Sequence, residues 1–446
     1  MFYTSLGLYA CLILFLAYWI GRHDSRENFL IAGRNRGVWQ IAASKLGGNI
    51  GAGWFLAYTA FGFQYGLAVY YALAVYALGY ILFAWLAVPR IWRWGQQTQA
   101  FTLRDLIAQR TGDAFAARFV GYMVVLTHAA WLLVAFTGGP KIMASLGFPG
   151  GYVGSVVAMA GFTLVYLLLS GLRGVVMTDV VQAAVIVLFG AGIGYYALSA
   201  PEITEAFRQA TNELPVTLII AFVLFGLSFV FNADRYQLIF ASRSVRSAQW
   251  GMAFPIVMIL LLAFALVAIG LQVRLMSPAS DPDIAFLTFL QSALPPIGLT
   301  FGILLFVAAV MSTIDSIVFA VASHAVDLQS SQHPRRTLRL ALTVTVVWVA
   351  IFAYLLPDVV GASILSIAML MIGTPGMLYF LCGGTRASSL YASFGAGLAG
   401  FVAGYALLGP TPPLIVIIFT MALVGLLCAQ ALIACSRHKK MVGKRY

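Results

Sequence analysis

The sequence predicts an all-α polytopic membrane protein with about thirteen transmembrane helices. Three observations carry this. Hydrophobic residues make up 62% of the chain and charged residues 9%, with a mean hydropathy of +0.94, far from the balance of a soluble domain. Apolar segments of about 20 residues, long enough to cross the hydrocarbon core, recur along the whole chain. The basic residues are segregated: of the 26 Lys and Arg, all but Lys45, Lys141, Arg208 and Arg274 lie in alternate loops or the C-terminal tail. Among the loop residues are Arg34, Arg36, Arg235, Arg243 and Arg246. The intervening loops hold Glu202, Glu205, Glu213, Asp281, Asp283 and Asp358. This positive-inside pattern predicts a multi-pass protein of the inner or plasma membrane, N-terminus outside and C-terminus in the cytoplasm. The net charge of +12 then has the anionic inner leaflet as its partner, not nucleic acid.

The predicted spans are residues 5–20, 38–63, 67–88, 119–137, 153–170, 175–198, 216–231, 252–271, 297–326, 338–356, 362–381, 390–408 and 414–433. The first has no basic stretch before it and no small-residue cleavage site, so it reads as a retained helix. A charged link leads to the second span, which contains GGNIGAGW at residues 47–54. Glycines 47, 48, 51 and 53 weaken a helix and expose backbone carbonyls. At membrane depth such a break is tolerated only where it lines a cavity or is covered by protein. Gly47 and Gly51 also fit a small-residue packing face, but packing does not explain Lys45 or Asn49 in the same span. The third span is rich in tyrosine and is followed by FTLRDLIAQRTGD, read as an amphipathic cytoplasmic helix opened by Thr102. His128 in the fourth span reads as a hydrogen-bonded interior histidine. GLRGVVMTDVVQ opens the sixth, where Asp179 could simply complement the helix dipole. The seventh is apolar until Ser228 and Asn232. SDPDIAFLTFLQSALPP before the ninth reads as an external helix. Cys11, Cys382, Cys428 and Cys435 lack metal-ligand spacing and read as inert apolar residues.

The ninth span contains AAVMSTIDSIVFAVASHAVD, residues 308–327. Ser312, Thr313, Asp315 and Ser316 fall within about one turn of one another. An ionisable residue in hydrocarbon marks a functional site, and oxygens clustered this way replace the hydration shell of a small hard cation. Ser and Thr alone could bond back to the preceding turn; the carboxylate favours a cation site.

Spans two to six and seven to eleven are two groups of five in opposite orientation, the arithmetic of an inverted repeat. The chain is accordingly read as one transporter domain, 1–446. It comprises an extra N-terminal helix and link (1–36), a first repeat (37–199), a second repeat (215–382), and two C-terminal helices with a basic tail (388–446).

In FLIAGRNRG, NIGAG, FTLRDLIAQRTG, GLRGVVMTDVVQ, the FN…YQ…AS stretch at 231–242 and AAVMSTIDS, the chain resembles the sodium:solute symporter family, which includes proline, pantothenate, sialic-acid and sodium–glucose transporters. The similarity runs from about residue 28 to about residue 400. The resemblance implies a five-plus-five inverted repeat of the leucine transporter type, with one extra helix before and two after. It implies a sodium ion as coupling ion, held by carbonyls matching Gly47, Ile50 and Ala309 and hydroxyls matching Ser312 and Thr313. It also implies that Asp179, with positions matching Asp315 and Ser316, forms a second cation site in some members, and that Asn49 stands where the proline transporter has an important aspartate. Departures are Asp315 in place of a hydroxyl, Lys45 without a counterpart, and apolar or small residues (Gly53, Trp54, Phe225, Ser228) where sugar-binding members hold sugar.

The expected function is sodium-coupled symport of a small organic solute into the cytoplasm, with the solute beside Trp54, Phe55, Tyr58, Ser228 and Asn232. Alternatives are proton coupling, a built-in cation at Lys45, or a transporter-like sensor. Lys45 is expected to pair with Asp315 or Asp179, or else to snorkel to the inner surface. No nucleophile–base or metal-ligand set suggests an enzyme. Nothing in the residues fixes the solute or the oligomeric state.

Overall fold

The computed structural model describes residues 2–442 apart from 23, 24, 211, 212, 214, 329, 330 and 356–358. Asp358, Lys444 and Arg445, counted above among the loop and tail charges, lie outside the described residues. Helix α1 (Phe2–Gly21) is followed by a short α2 (Arg26–Ile31) and then by α3 (Val38–Asn49) and α4 (Ala52–Tyr65), which flank the glycine-rich stretch. The helix stops there because Ile50 is extended (φ −94°, ψ 91°) and so is Gly51 (φ −121°, ψ −163°). The chain continues through α5 (Val69–Leu82), α6 (Val88–Thr98) and α7 (Leu103–Thr111) to α8 (Ala114–Ser145) and α9 (Gly151–Ser199).

Helix α7 is the link helix read from sequence. Thr102 caps it by accepting from the Asp105 amide, and the Asp105 carboxylate accepts from the amides of Thr102 and Phe101. Burial pushes the Asp105 carboxyl above its ordinary range, and these hydrogen bonds oppose the shift.

The second half begins after α10 (Ile203–Arg208) with α11 (Val216–Leu227) and α12 (Ala233–Ala241), bent by 47° across a 3₁₀ turn and an extended Asn232. Then come α13 (Val245–Ala253), α14 (Pro255–Met276), the short α15 (Ala285–Ala293) and α16 (Pro296–Ala325). Helix α15 lies where the external helix was expected. The chain ends with α17 (Pro334–Leu355), α18 (Val359–Met371) and α19 (Thr374–Leu381), α20 (Ala387–Leu408) and α21 (Pro412–Val442).

Among the described residues nine helices are long and apolar enough to cross a membrane, or eleven if each of two bent pairs is one crossing. Two of the nine are 46 and 49 residues long, about 70 Å at a helical rise, more than twice the hydrocarbon thickness. Each contains a glycine with positive φ, Gly66 at 67° and Gly171 at 58°, where a side chain would be strained and the chain can turn. The thirteen crossings expected from sequence require each of these helices to cross twice.

Helix α16 is central: 72% of its most apolar window is buried, against 17% for α1 and 28% for α21. The outer helices present leucine and aromatic side chains such as Leu8, Phe15 and Leu432 outward, as lipid-facing surfaces do. The two broken helices are tied together by backbone pairing. Arg36 N–H donates to Ala241 and Arg243 N–H to Arg36, each at 3.0 Å. At the other end, Arg235 at the start of α12 bonds to Asn49 at the end of α3, which places the α3–α4 break beside the α11–α12 break, with α16 behind the first.

Candidate cation and solute site

The break packs onto α16 with no room for side chains. A Cβ on Gly47 would meet Ser312 Oγ at 2.2 Å, and one on Gly51 would meet Thr313 Oγ1 at 2.3 Å. Thr313 Oγ1 donates to the Gly47 carbonyl at 3.4 Å. Ala309 is buried one turn before Thr313, its carbonyl pointing along the helix towards that turn. Ile50, where α3 ends, is also buried. Gly47, Ser312 and Thr313, named from sequence, thus meet at one contact between two elements, with Ile50 and Ala309 buried within a turn of it, and their oxygens are of the type that suits a hard cation. Among the described residues no group of three or more His, Cys, Asp or Glu could hold a metal.

Beside this contact lie two buried carboxylates. Asp179 accepts from Ser44 Oγ at 2.5 Å and from Ser312 Oγ. Asp315 accepts from Tyr166 Oη at 2.5 Å and from the Ser316 amide at 2.7 Å, and Tyr166 Oη also meets Thr178 Oγ1 at 2.8 Å. Ser312 therefore touches both the break and Asp179. Ser316 Oγ faces Gly48. Ser44 and Tyr166 were not singled out from sequence, since a lone hydroxyl in a span carries no pattern of its own.

Lys45 does not pair with Asp179 or Asp315. Its Nζ lies 3.3 Å from Asp234 Oδ2, and the lysine is 1% exposed, which also excludes snorkelling. Arg235 corrects a second expectation. It was counted among the cytoplasmic loop charges, yet it is 3% exposed at the start of α12. Arg235 Nη2 donates to Asn49 Oδ1 at 3.3 Å, and Asn49 Nδ2 donates to Tyr76 Oη at 3.1 Å. With its amide oxygen turned to the guanidinium, Asn232 accepts from Nη2 at 3.0 Å. His128 is an interior histidine as expected: Nε2 accepts from the Ala233 amide and Nδ1 meets the Val124 carbonyl, both at 3.0 Å.

Above these residues a narrow aromatic cavity of about 50 Å³ opens beside α4. Trp54, Tyr58 and Phe61 line it from α4, the rings of the first two stacked at 4.3 Å, with Trp131 from α8 and Phe225 from α11. Asn49, Gly51 and Thr313 form its inner end. Phe55 and Ser228, expected beside the solute, are elsewhere. Phe55, a third of a turn round from Trp54, packs on Phe286 and Phe306, and Ser228 bonds back to the Phe225 carbonyl at 2.8 Å. Asn232 lines a smaller polar recess below the cavity, with Lys45, Asp234 and Arg235.

A model of the sodium:solute symporter family matches residues 29–212. The sodium/glucose cotransporter of Vibrio parahaemolyticus is 26% identical over 309 residues, covering 62% of this chain and 55% of that protein. The sodium/pantothenate symporter of Haemophilus influenzae is 25% identical over 292 residues, 58% of this chain and 59% of that one. Sodium/glucose cotransporter 2 of Rattus norvegicus is 28% identical over 188 residues, 41% of this chain and 27% of its own. The chain thus spans just over half the length of these bacterial relatives and about a quarter of the rat one. Among solved structures, a substrate-bound, outward-open Na+-coupled sialic acid symporter superposes with a TM-score of 0.76 at 14% identity, covering 96% of this chain and 97% of that one. Mhp1, a nucleobase-cation-symport-1 family transporter in a closed conformation, gives 0.62 at 17% identity, covering 93% and 96%. These likenesses identify the fold as the leucine transporter type.

Proposed function

We propose that this chain, a multi-pass membrane protein related in sequence to the sodium:solute symporter family, couples sodium entry to uptake of a small organic solute into the cytoplasm. The observation that carries the reading is the contact of Ser312 and Thr313 with the Gly47–Gly51 break. A sodium ion there would take oxygens from both elements, so its affinity depends on how the break sits against α16. An ion with different affinity for two arrangements shifts their balance, and the solute cavity shares Gly51 and Thr313 with the ion contact. Ion and solute binding are thereby linked. The test is uptake into proteoliposomes under an imposed sodium gradient, compared with potassium. Sodium-driven accumulation supports the reading; equal uptake in potassium overturns it.

A second reading, proton coupling, is favoured by one observation: Asp179 and Asp315 are buried with hydroxyl partners and, among the described residues, no cationic side chain within ion-pair distance. An imposed pH gradient that drives uptake without sodium would select it. Lys45, bonded to Asp234, is not placed to stand in for a cation between those two carboxylates.

Ser312→Ala and Thr313→Ala should each weaken sodium activation roughly tenfold, the scale of one lost charge-assisted contact. Solute affinity should recover at saturating sodium, as linkage requires. Unchanged sodium activation in both variants would move the ion elsewhere. The N-out, C-in orientation has its own test. A cysteine replacing Glu205 should react with an impermeant thiol reagent in intact cells, and one replacing Arg243 should not; the reverse labelling inverts the topology.

A further inference from the structure

The proposed function leaves Arg235 unexplained. A buried guanidinium is ordinarily paired, because taking its charge from water costs several kcal/mol. The nearest carboxylate in sequence, Asp234, is engaged by Lys45. Among the described residues the hydrogen-bond and ring partners of Arg235 are neutral: the amide oxygens of Asn49 and Asn232, and the rings of Phe229 at 4.0 Å, Tyr80 at 5.7 Å and Phe83 at 5.9 Å. Its Nε is buried with no hydrogen-bond partner. Lys45, Asp234 and Arg235 together leave a formal excess of one positive charge in the recess. The recess opens towards the aromatic cavity, since Asn49 and Trp131 line both.

We infer that the solute is a small carboxylate with an apolar body, its body in the aromatic cavity and its carboxylate held by Arg235 in the polar recess below it. The inference rests on the reading of that cavity as the solute site. A planar guanidinium presents paired N–H donors that match a carboxylate edge, and Nε supplies one that nothing else uses. The amide oxygen of Asn49 now accepts from Nη2 and would be displaced or joined by the anion. Trp54, Tyr58 and Trp131 give the body of the molecule aromatic faces and little to hydrogen-bond. The charges also sort themselves. The anion neutralises the basic recess below Asn49, while the Asp179–Asp315 side, rich in hydroxyls, is left to the cation.

The experiment is thermal melting of the purified full chain in sodium and in potassium, with matched acid and amide pairs: phenylacetate and phenylacetamide, benzoate and benzamide, 3-methylbutanoate and 3-methylbutanamide. At least one acid should stabilise the protein and its amide should not. Arg235→Gln should weaken that acid by about thirtyfold or more, the scale for leaving one member of a buried charge pair alone. Arg235→Lys, which keeps the charge without the fork, should retain part of the response and serves if the glutamine variant does not fold. Amides acting as well as acids, an acid response unchanged in the Arg235 variants, or silence from every acid would each overturn the inference. The two readings fail separately. Acid binding through Arg235 that is equal in sodium and potassium upholds the anion site and counts against sodium coupling. Stabilisation by sodium with none by any acid does the opposite.

Discussion

Replacing Lys45 by Met should destabilise the folded protein by about 3–5 kcal/mol, the cost of removing one partner of a buried ion pair. Lys45 and Asp234 have side chains 2% and 13% exposed, so the aspartate that remains gains little from water and keeps only the neighbouring Arg235 as a compensating charge. The pair also joins the two broken helices, one charge on α3 and one on α12. Its loss should therefore abolish uptake as well as lower the melting temperature. The double variant Lys45→Met, Asp234→Asn removes both charges and should recover most of the stability, because the penalty comes from the orphaned charge. Heating followed by size-exclusion chromatography measures this. A single variant that melts like the parent would show that the pair contributes nothing to the fold.

Gly51→Ala should cost sodium activation more than tenfold and stability about 1–3 kcal/mol, the usual price of overpacking. Its new methyl would meet Thr313 Oγ1 at 2.3 Å and Thr313 Cβ at 2.7 Å. A side-chain rotation cannot move Cβ, so the break must lift from α16. Gly53→Ala is the control: its methyl finds Val134 Cγ1 at 3.3 Å and Ser363 Oγ at 4.0 Å, contacts that small shifts absorb. Sodium-dependent uptake by the two variants, each normalised to folded protein, makes the comparison. Equal sodium dependence would mean that the closeness of Gly51 to Thr313 has no bearing on the ion.

The first break was legible in the sequence because four glycines within seven residues leave a helix little to hold it. The second was not. Ser228–Phe231 contains neither glycine nor proline, and the one local mark, Ser228 bonding back to the Phe225 carbonyl at 2.8 Å, is common in unbroken helices too. Without that break, Arg235 reads as a loop charge following an apolar span, and Lys45 is given Asp315 or Asp179 as a partner in place of Asp234. Asp234 lies 189 residues away in sequence. The capping of α7 by Thr102 and Asp105 was readable for the opposite reason, since every group involved lies within a few residues. Cavity lining was half legible. Helical spacing puts Trp54 and Tyr58 on one face, but which face meets the cavity is decided by α8 and α11, and this excluded Phe55. The number of crossings turns on the two longest helices, 46 and 49 residues, which would each have to turn at a glycine, Gly66 or Gly171, to cross twice.

The central claim is that sodium binds between the α3–α4 break and α16. Binding of radiolabelled sodium to the purified protein tests it most directly, comparing the parent with a Ser312→Ala, Thr313→Ala double variant that retains its fold. The account predicts saturable binding that excess potassium does not displace, lost in the double variant. Binding of the same affinity in both proteins would contradict it.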